Sequence, residues 1–148
     1  MDKNLALRAK KKEFSMKIPD KPGIYIAQPI GTRMRVIDKS RPEMMPLVNN
    51  EFIKVGRTID LKRRASEYFR DNDGDVSFEP IVIMEDYSND EIKKFETMLK
   101  KEFEEYRVVN PKKNKGPLEW MKGISFEDTA STINQVFEKF KDVILVLK

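Results

Sequence analysis

Apolar positions repeat along this chain with two periods, and the switch between them marks its elements. In Gly23–Gln28, Ile24 and Ile26 fall on one side and Tyr25 on the other, as in a strand. Glu51–Thr58 alternates likewise, Ile53 and Val55 opposing Phe52 and Lys54. Phe78–Glu85, with Ile81-Val82-Ile83-Met84 at its centre, reads as a third strand. Asp60–Arg70 reads as a helix, ended by the turn residues Asp71-Asn72-Asp73-Gly74-Asp75. Helical periodicity then takes over. Ile92, Phe95, Leu99, Phe103 and Tyr106 form one stripe, on a helix capped by Ser88 or Asn89 and running to about Tyr106. Ser125 and Asp128 make a capping box for a last helix, whose Ile133, Val136, Phe137, Phe140 and Ile144 share a face. Asp20-Lys21-Pro22-Gly23 is a turn, and residues 1–17 read as a frayed or helical basic arm. Residues 29–50 break the pattern with Pro29, Gly31, Pro42, Pro46 and Asn49-Asn50. They read as an insertion or long loop, with Arg33–Ile37 as a short strand inside it. A basic loop over 107–117 precedes Leu118-Glu119-Trp120-Met121. The order strand, long connection, strand, helix, strand, helix, helix predicts an α/β layer arrangement around a small sheet.

Composition narrows the chemistry. The 148 residues suit one domain, and 39% apolar against 36% charged residues gives a strongly charged chain that can still bury a core. No apolar run approaches a membrane span, and the basic N-terminus lacks the apolar stretch of a secretory signal. Cysteine and histidine are both absent. That removes thiol nucleophiles, disulfides, the usual histidine base and all Cys- or His-ligated metals. Catalysis would fall to Tyr, Lys, Arg, Asp, Glu, Ser or Thr, and a metal would be a hard cation on carboxylate oxygen. The net charge of +4 is unevenly spread. Residues 51–70 carry Lys54, Arg57, Lys62, Arg63, Arg64 and Arg70 against three acids, residues 71–105 carry twelve acids against four lysines, and residues 106–116 are basic again. A positive face beside a negative one suits a polyanion such as nucleic acid; the plainer reading is a solvated charged surface.

Asp71–Asp75 resembles half of a calcium loop, but the required loop Gly and Glu positions hold Val76 and Val82, so it is a surface turn. No Gly-rich phosphate fingerprint is present. A sharper constellation is Gly23-Ile24-Tyr25 followed by Lys54-Val55-Gly56 and a helix whose first turns present Arg63 and Arg64. If the first two strands pair, Tyr25 and Lys54 share a face, and such arginines grip phosphate oxygens. Each residue also has a plainer reading: Tyr25 as packing, Lys54 as an exposed strand lysine, Trp120 as core, Asn110 before Pro111 as a helix stop. Arg64 competes with Arg63. Glu96 and Glu102 flank the apolar stripe equally, so periodicity does not choose between them.

In these residues the chain resembles the GIY-YIG nucleases. Gly23-Ile24-Tyr25 is similar to the first signature and Ile53-Lys54-Val55-Gly56 to the second, with Lys54 where the family usually has Tyr and some restriction enzymes have Lys. "GRTIDLKRRASEYF" from Gly56 resembles the excision-repair version of the motif, whose essential arginine falls eight residues after the Gly, here Arg64. "FETMLKKEF" resembles the helix bearing the metal-binding glutamate, here Glu96, and Asn110 matches an asparagine found in several members. Glu105–Val108 with Glu119-Trp120 looks like a phage and viral subgroup. The resemblance covers about residues 22–121, with 29 residues from Tyr25 to Lys54, a longer connection than in compact members.

The resemblance implies a small, mostly antiparallel three-stranded sheet flanked by helices. The nuclease domain would span 21–121 with an insertion at about 28–50, preceded by a basic arm over 1–20 and followed by an amphipathic helix at 122–148 on the same domain. It implies metal-dependent hydrolysis of DNA phosphodiesters, with Tyr25, Lys54, Arg64 and Glu96 catalytic. Tyr25 would be the general base, with Lys54 helping polarise it; Arg64, assisted by Arg57, would neutralise the phosphate, and Glu96 would hold Mg²⁺ or Mn²⁺. Arg57, Lys62, Arg63, Asn110, Lys112, Lys113 and Lys115 would contact DNA, or RNA. A homodimer or a targeting protein would supply specificity, and the expected compartment is the cytoplasm, or the host cytoplasm or nucleus for a viral protein. Two other classes compete: an inactive nucleic-acid-binding module of the same fold, and a small protein-interaction or inhibitor domain.

Overall fold

The computed structural model describes residues 10, 17–37, 47–109 and 117–147. The basic arm and the basic loop therefore fall mostly outside the described residues, which keep 10 and 17–20 of the first and 107–109 and 117 of the second. Among the described residues five strands form one antiparallel sheet: β1 (Gly23–Pro29), β2 (Phe52–Thr58), β3 (Val76–Ile83), β4 (Arg107–Val109) and β5 (Pro117–Lys122), in the order β3-β1-β2-β5-β4. Among the described residues three α-helices are placed against the sheet: α1 (Leu61–Asp71), α2 (Asn89–Glu102) and α3 (Phe126–Leu147).

The three-stranded expectation is thus corrected to five strands. β4 has only three residues and β5 six, too short and too interrupted by charge for a period-two signal to stand out. Their strand character comes from pairing: Phe52↔Lys122, Ile53↔Met121 and Lys54↔Trp120 join β5 to β2, and Arg107↔Met121 joins β4 to β5. The second helix also stops earlier than its stripe predicts, at Glu102, with a 3₁₀ turn carrying Glu104–Tyr106 into β4.

β1 is flanked by strands on both sides and buried on both faces, so its alternation divides the core in two. Ile24 and Ile26 join Ile53, Val82 and Met121 beneath α2 and α3, which contribute Phe95, Leu99, Ile133 and Phe140. Tyr25 and Ala27 join Phe78 and Trp120 beneath α1, which contributes Leu61, Ala65 and Tyr68. Pro80 is tolerated because β3 is an edge strand. The register shift between Ile24↔Val82 and Tyr25↔Pro80 resets the alternation, so that Phe78 serves the α1 face and Val82 the opposite one.

Helix starts follow local chemistry. The extended Asp60 caps α1 by accepting from the Arg63 N–H at 3.1 Å. Ser88, rather than Asn89, caps α2 in a reciprocal capping box with Glu91. Ser125 accepts from the Asp128 N–H at 3.0 Å at the start of α3. The described ends of the insertion are held to the α1 side: Ile37 and Val48 are buried there, and Asn72 Nδ2 donates to the Ile37 carbonyl at 3.0 Å. The short strand expected at Arg33–Ile37 reduces to one bridge, Arg35↔Val48.

Candidate functional site

The β1–β2 register places Tyr25 opposite Gly56 and Ala27 opposite Lys54, so Tyr25 and Lys54 stand on the same face of the sheet. α1 lies over that face and brings Arg64 with it. Arg64 Nε donates to Tyr25 Oη at 3.3 Å, its Nη2 reaches Tyr68 Oη at 3.4 Å, and its Nη1 pairs with Glu67 at 2.9 Å. The Tyr25 and Tyr68 hydroxyls lie 3.3 Å apart. Tyr68 organises this cluster: the Arg64 guanidinium carbon is 4.5 Å from its ring centre and Lys54 Nζ is 5.8 Å away, both within cation–π range. Sequence reading passed over Tyr68. Its signal was its place four residues after Arg64 on the same helix, which puts the two side chains side by side.

Tyr25 and Lys54 are only 2% and 5% exposed. The plain reading of Lys54 as an exposed strand lysine is therefore corrected; a twisted sheet with α1 packed on it encloses the side chain. Gly56 explains how the tyrosine fits. A Cβ on Gly56 would stand 2.4 Å from Tyr25 Oη and 2.5 Å from Cζ, so the phenol lies directly on the glycine backbone. Gly56→Ala is expected to cost roughly 1–3 kcal/mol through overpacking and to displace the Tyr25 hydroxyl. Urea denaturation checks the first effect, and an unchanged midpoint would contradict the packing.

Glu96 and Arg57 stand on the other face. Arg57 alternates with Gly56 along β2 and pairs through Nε with Glu96 Oε1 at 3.2 Å. Lys100, one turn along α2, approaches the same oxygen at 3.5 Å. Both pairs are partly solvent-exposed and worth only about 0.2–1 kcal/mol each. Glu96 also lines a small cavity with Ile24, Val55, Gly56, Lys100 and Arg107. The structure thus brings Tyr25, Lys54 and Arg64 together on the α1 face and places Glu96 with Arg57 on the α2 face. Gly56 is common to the two groups, touched by the Tyr25 ring from one side and lining the Glu96 cavity on the other. Among the described residues the β2–β5 pairing ends at Lys54↔Trp120, so Gly56 has a strand partner only on the β1 side, although the glycine itself is buried.

The remaining expected contacts scatter. Lys62 and Arg63 are exposed on α1, Arg63 facing Glu67 at 3.6 Å. Asn110, Lys112, Lys113 and Lys115 lie outside the described residues. Trp120 is core, 3% exposed on the α1 face.

Residues 24–141 match the family model of the T5orf172 domain. The chain belongs to the T5orf172 domain family. No curated protein and no solved structure matches it. The T5orf172 domain occurs in phage and GIY-YIG-like nuclease-related proteins, which points to a nucleic-acid-related role. The match spans both faces just described, from Ile24 on β1 into α3, so the Tyr25, Gly56, Arg64 and Glu96 positions all fall inside the family's domain. Among the described residues of this T5orf172 domain, no helix is long and apolar enough to cross a membrane.

Proposed function

We propose that this chain is a metal-dependent endonuclease of GIY-YIG type, cleaving DNA phosphodiesters at the Gly56 edge of the sheet. The observation that carries the reading is the seating of Tyr25 on Gly56 under the Arg64 guanidinium, with Glu96 on the far side of the same glycine. A phosphate at that edge meets a guanidinium and a phenol from one face and a carboxylate from the other.

Arg64 covers the Tyr25 hydroxyl in the free protein, and its side chain is 18% exposed. A phosphate oxygen is a stronger partner for the guanidinium than a neutral phenol, because both partners are charged and the contact is bidentate. On binding, Arg64 turns to the phosphate, neutralises the charge that develops on it, and bares the hydroxyl. Tyr25 then takes the proton of the attacking water, and the Lys54 ammonium, held beside the Tyr68 ring, adds positive charge to this side of the site.

The residues present fit Mg²⁺ or Mn²⁺ in one way only. Among the described residues no group of three or more acidic side chains could cage a metal. Glu96 offers one carboxylate, which suits an ion that takes its other ligands from water and substrate phosphate. When bound, such an ion supplies charge stabilisation to the phosphate oxygens.

The test is nicking of supercoiled plasmid with Mg²⁺, with EDTA, and by Glu96→Gln. The expected result is cleavage that needs the metal and disappears in Glu96→Gln, while the protein stays folded and loses no more stability than the two exposed ion pairs of Glu96 supply. Undiminished cleavage in EDTA contradicts the metal role. Two observations favour the inactive binding module instead: Tyr25 is almost wholly enclosed, and a buried lysine stands at the second signature tyrosine. Salt-dependent DNA binding without cleavage at any pH or metal concentration would establish that second reading.

A further inference from the structure

The Glu96 carboxylate is held by cations in the place where the nuclease reading needs a metal. Arg57 sits at 3.2 Å and Lys100 at 3.5 Å from the same oxygen, and Arg107 of β4 lines the cavity that Glu96 and Lys100 share. This cavity measures about 30 Å³ and is walled mostly by apolar side chains, Leu99, Phe103 and Met121 among them, so it takes no nucleotide and any polymer stays at its mouth. Arg57 and Lys100 keep side-chain exposures of 35% and 45%, and can turn outward without breaking the core.

We infer that Arg57, Lys100 and Arg107 form an anion-binding rim for a backbone phosphate beside Glu96, and that Arg57 and Lys100 exchange the carboxylate for that phosphate when nucleic acid arrives. This inference rests on the nuclease reading and gives a role to Lys100, which the motif did not select, and to Arg107, which the sequence offered only as one charge of the basic 106–116 stretch. The exchange has a thermodynamic consequence. In the free protein a divalent ion must displace two cations from Glu96. With phosphate bound, those cations have a new partner and the carboxylate is released. Metal and nucleic acid therefore bind with positive coupling, and by linkage each raises the affinity of the other by the same factor. The device keeps the free protein poor in metal until a phosphate backbone is in place.

The experiment measures Mn²⁺ binding to the full chain by electron paramagnetic resonance, with and without a short mixed-sequence DNA duplex. A Tyr25→Phe background keeps the duplex intact during the titration. The duplex is expected to tighten Mn²⁺ binding at least about 5-fold, the lower range of measured couplings. Arg57→Gln and Lys100→Gln are expected to raise Mn²⁺ affinity without DNA and to shrink the coupling. Each of the three rim variants, Arg107→Gln included, should lower the slope of log affinity against log salt for the duplex by about one unit. Lys101→Gln, an exposed neighbour on α2, is the control for a general loss of positive charge and should leave the Mn²⁺ affinity of the free protein unchanged. Glu96→Gln should lose the Mn²⁺ site. If Glu96→Gln loses Mn²⁺ but the duplex leaves the affinity of the Tyr25→Phe parent unaltered, the rim is overturned and the nuclease reading stands. If Glu96→Gln binds Mn²⁺ as well as the parent, both are overturned, because the metal is elsewhere. An equal rise in Lys101→Gln would reduce the effect to bulk charge and also overturn the rim.

Discussion

Tyr25→Phe is expected to lower plasmid nicking by at least about 100-fold, the lower range for loss of a general base, while leaving the protein folded. The ring's surroundings explain why the two effects separate. The phenyl ring keeps its stacking on Phe78 at 4.6 Å and its edge contact with Tyr68 at 5.8 Å, and it still rests on Gly56. What is lost is one hydroxyl bonded at 3.3 Å to Arg64 and to Tyr68, a loss of about 0.5–1.5 kcal/mol. Arg64 is retained, so affinity for duplex DNA should hold. Arg64→Ala provides the contrast: it should lose cleavage and binding together, with a smaller salt slope. Single-turnover nicking and fluorescence anisotropy measure the two quantities. Cleavage by Tyr25→Phe within threefold of the wild-type rate would remove the phenol from the chemistry.

Phe140→Ala is expected to be the most damaging single truncation away from the site, costing about 3–5 kcal/mol. Phe140 is fully buried on α3, where it stacks on Phe95 at 5.1 Å and meets Tyr87 at 5.7 Å and Phe137 at 6.2 Å. It therefore ties α3 to α2, the helix that carries Glu96. A domain of this size has about 5–15 kcal/mol of stability in all, so the loss is a large share of it. Urea denaturation checks it, and a destabilisation below about 1 kcal/mol would mean that α3 does not close this core. Phe137→Ala, at a half-buried position on the same helix, should cost less.

Much of this protein was legible in its residues. Alternation in Gly23–Gln28 and Glu51–Thr58 placed Tyr25 and Lys54 on one face, because a strand has a fixed two-residue period and antiparallel pairing preserves it. Helical spacing located α2 and α3 because their apolar stripes run over several turns, long enough for a period to register. Composition set the available chemistry: with no Cys or His, a phenol, guanidinium groups and a carboxylate are what remain. Tertiary structure decided the rest. β4 and β5 exist through their pairing with each other and with β2, a contact between distant segments that no local period encodes. The enclosure of Lys54 and the recruitment of Tyr68 depend on α1 folding back over the sheet. The division of Tyr25, Lys54 and Arg64 from Glu96 and Arg57 depends on which helix covers which face. Residue order along the chain carries no information about that choice; it is made by which apolar surfaces bury each other, and it leaves Gly56 as the point where the two faces meet.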